Sequence, residues 1–355
     1  MKYKKILITG GAGFVGSTIS IKLKKIFPSA EIQVLDNLIR KGSEINIPRL
    51  EKTGITFIKG DVRYRKDLEI KGLDLIIDCS AEPSVMAGVT SSPEYMLDTN
   101  LVGAINCFEL ARKNKADVVF LSTSRVYPVK KLNELAYRED EMRFNLLENQ
   151  SIIGASKKGI RENFPLNGVR SLYGATKLSA EYILQEYVQN YGINAVINRC
   201  GLISGPWQMG KIDQGIIVHW FASHFFGKPL SYIGYGGKGK QVRDVLHVDD
   251  LFELLLMQLG NMQNFNGKIY NVGGGLKNSI SLLELTKLCQ NITGKKVEIS
   301  SILEDRPGDV RIFITDNEFI ESKTGWKPKR SVQQTGEEVY RWIEENKDSL
   351  KNIFN

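Results

Sequence analysis

The stretch TGGAGFVGS at residues 9–17 follows the apolar run KILIT without a gap and leads directly into an amphipathic segment. A strand, a glycine turn and a helix in that order leave few folds open. Gly10 permits the tight turn, Gly13 lets the backbone approach a pyrophosphate, and Gly16 lets the helix pack closely on the strand. The helix start then offers unpaired N–H groups and a partial positive charge to phosphates. Asp36 ends the next strand-like run, EIQVLD, twenty residues beyond Gly16. A carboxylate there accepts hydrogen bonds from an adenosine ribose and repels an added phosphate, so the expected cofactor is NAD rather than NADP. Phe14 and Val15 in the same turn, Asn37, Asp61 and Val62 after the third strand, Ser80 and Ala81 after the fourth, and Asn100 complete the candidate cofactor set.

The runs ITFIKGD, LDLIIDCSA, DVVFLSTS and INAVINRC continue the pattern, with longer amphipathic segments such as PEYMLDTNLVGAINCFELARKN between several of them. This alternation predicts an α/β chain with a doubly wound parallel Rossmann sheet and a smaller C-terminal substrate-binding lobe. The expected NAD-binding domain is 1–199 with 237–273, and the expected substrate domain is 200–236 with 274–355. The polar region 129–170 reads as a long irregular excursion, and SLLELTKLCQNITG and SVQQTGEEVYRWIEEN read as amphipathic helices.

Composition removes other classes. At 355 residues and 42% hydrophobic, the chain can bury a large core, which argues against disorder. The net charge of +8 is spread without a basic block, so no nucleic acid partner is expected. Charged and polar residues interrupt GIIVHWFASHFFGKPLSYIG, and no signal peptide precedes KILIT, so neither a membrane span nor export is expected. Four scattered cysteines and three histidines lack metal-ligand spacing, which predicts no metal and a reduced, cytoplasmic protein.

Two segments share a Gly-Ala-[Ser/Thr]-Lys core: SIIGASKKGI at 151–160 and SLYGATKLSA at 171–180. Only the second carries a phenol, Tyr173, one helical turn before its lysine, Lys177. A phenol titrating near 10 is a poor base at neutral pH, but a neighbouring ammonium favours the phenolate. Tyr173 is therefore the expected proton acceptor for a sugar or alcohol hydroxyl, with Lys177 beside it. Thr123, at the end of a sheet strand, is expected to hold the same hydroxyl. The first segment has Ile153 where the tyrosine would stand and is assigned to the irregular region.

Taken together, TGGAGFVG, Asp36, the Asp61–Val62 pair, STSRVY and YGATK resemble the extended short-chain dehydrogenase/reductase family of nucleotide-sugar enzymes. DQGIIVHWF, GKGKQVRDVLHVDDL and NVGGGLKNSISLLEL are similar to its CDP-paratose 2-epimerase branch. The resemblance implies a nucleotide-diphosphate sugar, CDP-linked in that branch, with Arg243 and Arg306 on its diphosphate, and a homodimer or higher homo-oligomer. From sequence alone, surface ion pairs with Asp244 and Asp305 explain those arginines equally well. Glu82, Ser124 and Arg125 are further candidates on the sugar side. The family's dehydratases carry an acidic pair or a Ser–Glu directly after the catalytic threonine, where this chain has Ser124–Arg125. The implied reaction is thus epimerisation through a ketosugar, most like a CDP-sugar 2-epimerase. A 4-epimerase, a reductase, a 4,6-dehydratase or a silent NAD-sensing protein on the same fold stand as alternatives.

Overall fold

Strands buried on both faces must be apolar at nearly every position, and KILIT, LIID and the VVFL of DVVFLST meet that condition. The computed structural model describes residues 2–89, 91–211 and 214–354. It contains a seven-stranded sheet built from β1 (Lys5–Thr9), β2 (Glu31–Asp36), β3 (Thr56–Lys59), β4 (Leu75–Asp78), β5 (Asp117–Thr123), β6 (Ala195–Cys200) and β7 (Lys268–Val272). The strand order is β7-β6-β5-β4-β1-β2-β3, and the β1–β2, β2–β3, β1–β4 and β4–β5 pairs are parallel. The reversal of direction at β1 and β4 is the doubly wound topology that the alternating pattern predicts.

The chain divides into two compact units. The first comprises Met1–Thr123, Leu172–Arg199 and Phe252–Tyr270. Its helices include α1 (Phe14–Ile26), α2 (Gly103–Asn114) and α3 (Leu172–Tyr191). Leu7, Leu35, Ile76, Val118 and Phe120 of the sheet share one core with Ala104, Cys107 and Phe108 of α2 and with Ala180 and Leu184 of α3. The alternate positions Ile6, Ile8, Val34 and Ile77 are just as buried, as the period of two along a strand requires.

The second unit comprises Ser124–Ser171, Cys200–Leu251 and Asn271–Asn355. The segments 124–171, 237–251 and 271–273, expected from sequence in the first domain, group with it; 237–251 does so because Val242–His247 is the hub of its own small sheet. That strand pairs in parallel with Leu202–Ser204 and Ile312–Phe313, and antiparallel with Ser279–Ser281. The helices Leu282–Thr293 and Val332–Glu345 form where the sequence predicts them. Each opens on a capping box, Ser281 with Glu284 and Ser331 with Gln334, which satisfies backbone donors at both helix starts. The region 129–170 is more ordered than expected. It holds the helix Val129–Asn133 and two short antiparallel pairs, Tyr137–Glu139 with Phe144–Leu146 and Ala155–Ser156 with Gly159–Ile160. The apolar run at 216–226 is a helix of the second unit, and no helix among the described residues is long and apolar enough to cross a membrane.

One buried contact joins α3 to the sheet. Glu181 receives Arg199 of β6 through Nη2 at 2.7 Å and through Nε at 3.0 and 3.1 Å, and it also accepts the Ser122 hydroxyl of β5. The Arg199 and Glu181 side chains are 3% and 0% exposed. Removing one partner strands a buried charge, so Glu181→Ala is expected to lose about 3–5 kcal/mol of stability in urea unfolding. Replacing the pair together by Leu and Met should recover most of that loss.

Candidate active site

The glycine turn of the first unit is shaped by close approach. Gly10 has φ +61°, and a Cβ there would lie 2.8 Å from the Cys79 carbonyl oxygen. A Cβ on Gly16 would stand 2.3 Å from the Gly10 carbonyl oxygen, so the helix could not approach the turn with any side chain there. Gly13 is less confined, with Gly10 O at 3.1 Å from its added Cβ. Gly11 was not singled out from sequence, yet its added Cβ would fall 2.3 Å from Val34 Cβ. The second glycine of the TGG pair was the available signal.

Helix α1 starts at Phe14 with Gly13 as its N-cap, no side-chain cap and no acidic residue in its first turn. Its leading N–H groups and positive end therefore suit an anion. Asp36, at the end of β2, braces this turn: Oδ2 accepts Ala12 N–H at 3.1 Å and Oδ1 accepts Leu38 N–H at 2.8 Å. Burial raises its carboxyl above the usual range, and those backbone bonds oppose the rise. With three backbone donors, Ala12, Gly13 and Leu38, the carboxylate still has acceptor capacity for a ligand hydroxyl. Phe14 and Val15 are half-buried at the helix start.

Asp61 and Val62 stand beyond β3. Asn37 donates to Asp61 at 2.9 Å, and Arg63 holds the same carboxylate through Nε and Nη2. Burial pushes the Asp61 carboxyl up, but the Arg63 and Asn37 bonds outweigh it and leave it below its ordinary value. Arg63, which the sequence reading missed, also lies over the rings of Tyr64 and Tyr95. Val62 is buried against α2, where a Cβ on Gly103 would sit 2.6 Å from Val62 Cγ2.

After β4, Ser80 bonds Asp78 through both its hydroxyl and its backbone N–H. Ala81 and Glu82 follow. Asn100 sits in a π-helical turn, Asp98–Val102, a local irregularity that recurs at functional sites. Its amide clamps the Glu82 backbone, accepting Glu82 N–H at 2.7 Å and donating to Glu82 O at 3.0 Å. The Glu82 carboxylate accepts Ser84 N–H, which fixes the loop.

The same unit carries Thr123, buried at the end of β5, and the pair Tyr173 and Lys177 on α3. Tyr173, Lys177 and Glu181 recur every four residues and share one face of the helix. Lys177 is 2% exposed, with Nζ 3.9 Å over the centre of the Phe120 ring. Lys157, the lysine of the look-alike segment, lies exposed in the hairpin turn of the second unit and pairs with Glu148.

The remaining candidates belong to the second unit. Ser124 and Arg125 form a short turn, and Arg125 Nη1 donates to Gly308 O at 3.0 Å. Arg243 reaches the same loop, with Nη2 2.7 Å from Asp309 Oδ1. Arg306 is half-buried within that loop and its carbonyl accepts Asp309 N–H. The partners differ from the neighbours in sequence, since Asp244 accepts Gly275 N–H and Asp305 accepts Tyr235 N–H. Tyr235, whose phenol burial pushes up to about 12, and Asp309 are further members of this cluster that sequence reasoning missed. Their spacing in the chain gave no hint of Arg243.

The chain is 31% identical over 351 residues to the CDP-paratose 2-epimerase of Salmonella typhi, covering 95% of this chain and 98% of the relative. It is also 31% identical over 351 residues to a putative UDP-glucose 4-epimerase of Methanocaldococcus jannaschii, covering 96% and 99%. Among solved structures, the dTDP-glucose 4,6-dehydratase of Streptomyces venezuelae with NAD bound superposes with a TM-score of 0.78 at 26% identity, covering 98% of this chain and 99% of that one. Residues 6–273 match the NAD dependent epimerase/dehydratase family. With that match spanning the glycine turn, Asp36 and the Tyr173–Lys177 pair, the chain belongs to the NAD dependent epimerase/dehydratase family and is an enzyme whose cofactor is NAD.

Proposed function

We propose that this enzyme is a nucleotide-sugar epimerase that inverts one sugar carbon by way of a ketosugar, with a CDP-linked sugar as substrate and carbon 2 as the centre. The observation that carries the reaction type is the trio Thr123, Tyr173 and Lys177 followed by Ser124–Arg125, with no carboxylate next to the threonine. Likeness to the Salmonella typhi enzyme over nearly the whole chain supports the CDP-sugar and the carbon.

In this reading the first unit holds the dinucleotide: Gly10, Gly13, Phe14, Val15 and Gly16 at the pyrophosphate, and Asp36 and Asn37 at the adenosine ribose. Asp61 and Val62 border the adenine, and Ser80, Ala81 and Asn100 shape the β4 end. Held by these residues, NAD would supply a reversible hydride acceptor for the sugar carbon. Tyr173 removes the hydroxyl proton as that carbon becomes a ketone, and gives the proton back when the alcohol reforms. Lys177, one turn away, favours the phenolate, and Thr123 orients the hydroxyl. The second unit binds the nucleotide diphosphate: Arg243 exchanges Asp309 for a phosphate oxygen, and Arg306 and Arg125 stand in the same cluster. Glu82 and Ser124 border the sugar.

Elimination of water would need one group to take the proton beside the ketone and another to protonate the leaving hydroxyl. Serine and arginine serve neither purpose readily at neutral pH. We place the enzyme in the cytoplasm, in keeping with four cysteines that form no disulfide, and as a homodimer.

A panel of CDP-, UDP- and dTDP-sugars, read by NMR and mass spectrometry, tests the proposal. A CDP-sugar returned at unchanged mass with carbon 2 inverted is expected. Inversion of carbon 4 on a UDP-sugar, or a product lighter by one water, would overturn it. On the active substrate, Tyr173→Phe and Lys177→Ala should each lose about 10²–10⁴-fold in kcat, whereas Lys157→Ala should turn over at the wild-type rate.

A further inference from the structure

Asp78 closes β4 and has no place in the chemistry above, yet it is completely buried. It stands in a row across the sheet, paired with Thr9 of β1 on one side and with Phe120 of β5 on the other. Residues paired on neighbouring strands point to the same face. Here that face is the one covered by α2 and α3, where Phe108 meets the Phe120 ring edge-on at 5.4 Å. The Asp78 oxygens are used unequally. Oδ1 accepts the Thr9 hydroxyl and the Ser80 hydroxyl at 2.6 Å each, and Ser80 N–H at 3.0 Å. Oδ2 is buried and accepts no hydrogen bond from the described residues.

Three donors on one oxygen make this carboxyl an acceptor on that side only. Burying a carboxylate charge with its second oxygen bare is costly unless a positive charge lies near. Lys177 supplies one, since its ammonium rests on Phe120, the cross-strand neighbour of Asp78 in the row. Other titratable groups on this face include Tyr187 of α3, the ion pair of Glu181 with Arg199, and Cys107 of α2. Burial pushes its thiol up, the negative charge of Asp78 adds to the rise, and Lys177 opposes it. From β1 and β5 the row presents only the hydroxyl of Thr9 and the ring of Phe120.

We propose that Asp78 is the buried counter-charge of Lys177, a positioning residue that sets the pH at which Tyr173 releases its proton. The proposal rests on the reading of Tyr173 and Lys177 as the proton-transfer pair. An ammonium beside the phenol lowers the pH of its ionisation. A carboxylate close to that ammonium cancels part of the effect, so Tyr173 holds its proton to higher pH than Lys177 alone would dictate. Removing the negative charge must therefore move the ionisation down. Through Thr9 and Ser80, the same carboxylate ties the strand ends on either side of Gly10, so the group that tunes the phenol also braces the cofactor turn.

Ultraviolet difference titration of tyrosinate in the NAD-bound protein tests this without any sugar. In Asp78→Asn the midpoint of the Tyr173 step should fall by about one pH unit, and in Asp78→Glu, which keeps the charge, it should stay near wild type. Asp78→Ser, smaller and also neutral, replaces the asparagine variant if that one does not fold. Tyr173→Phe identifies the step. If the step vanishes in Tyr173→Phe but keeps its wild-type midpoint in a folded neutral Asp78 variant, the Asp78 proposal alone is overturned. If the step survives in Tyr173→Phe, the proton-transfer reading falls and takes the proposal with it.

Discussion

The buried grip of Arg199 and Ser122 on Glu181 is the contact that places α3, the helix carrying the proposed proton-transfer pair. Proton transfer requires a phenol and an ammonium held at a fixed place, and both ride on one helix. Glu181 lies two turns beyond Tyr173 and one beyond Lys177, on the same face. Its carboxylate is clasped by β5 and β6 together, which fixes the helix in rotation and in translation. Burying an ion pair adds little net stability compared with apolar packing. What this pair contributes is register: a helix turned by a single residue would carry Tyr173 and Lys177 together through about 100° and take Lys177 off the Phe120 ring.

Close approach governs the cofactor end in a comparable way. Gly10, Gly11 and Gly16 leave no space for side chains, so α1 starts directly against β1 and the helix-start N–H groups stay available to a phosphate. Asp36 accepts backbone donors from the turn it faces, and Asp61 is fixed by Asn37 and Arg63. In the second unit, Arg243 takes a carboxylate partner, Asp309, across 66 positions of chain. A diphosphate oxygen would accept from the same guanidinium with more charge.

Much of this was legible in the sequence because it is local. A glycine triplet after an apolar run, an aspartate at the next strand end and a YxxxK pair on a predicted helix are all patterns of spacing, and the strands formed where the apolar runs lie. What spacing could not reveal is tertiary. Glu181 reads as a solvent-facing glutamate in an amphipathic helix, and Arg199 as the polar end of a strand. Asp78 reads as the residue after an apolar run, with nothing to suggest that the Thr9 and Ser80 hydroxyls converge on it. Arg243 and Arg306 offered their sequence neighbours as partners, whereas the fold gives Asp244 and Asp305 to backbone N–H groups. The look-alike lysine, Lys157, was told apart by chemistry, because its segment lacks a phenol.

The central claim is that the hydrogen leaving the sugar carbon is kept by the enzyme and returned to the opposite face. Turning over the accepted nucleotide sugar in deuterated water measures this directly. The account predicts an epimer with no deuterium on carbon, because the migrating hydrogen never meets solvent. Deuterium at the inverted carbon, or at the carbon beside it, would contradict the account and point instead to proton abstraction from carbon.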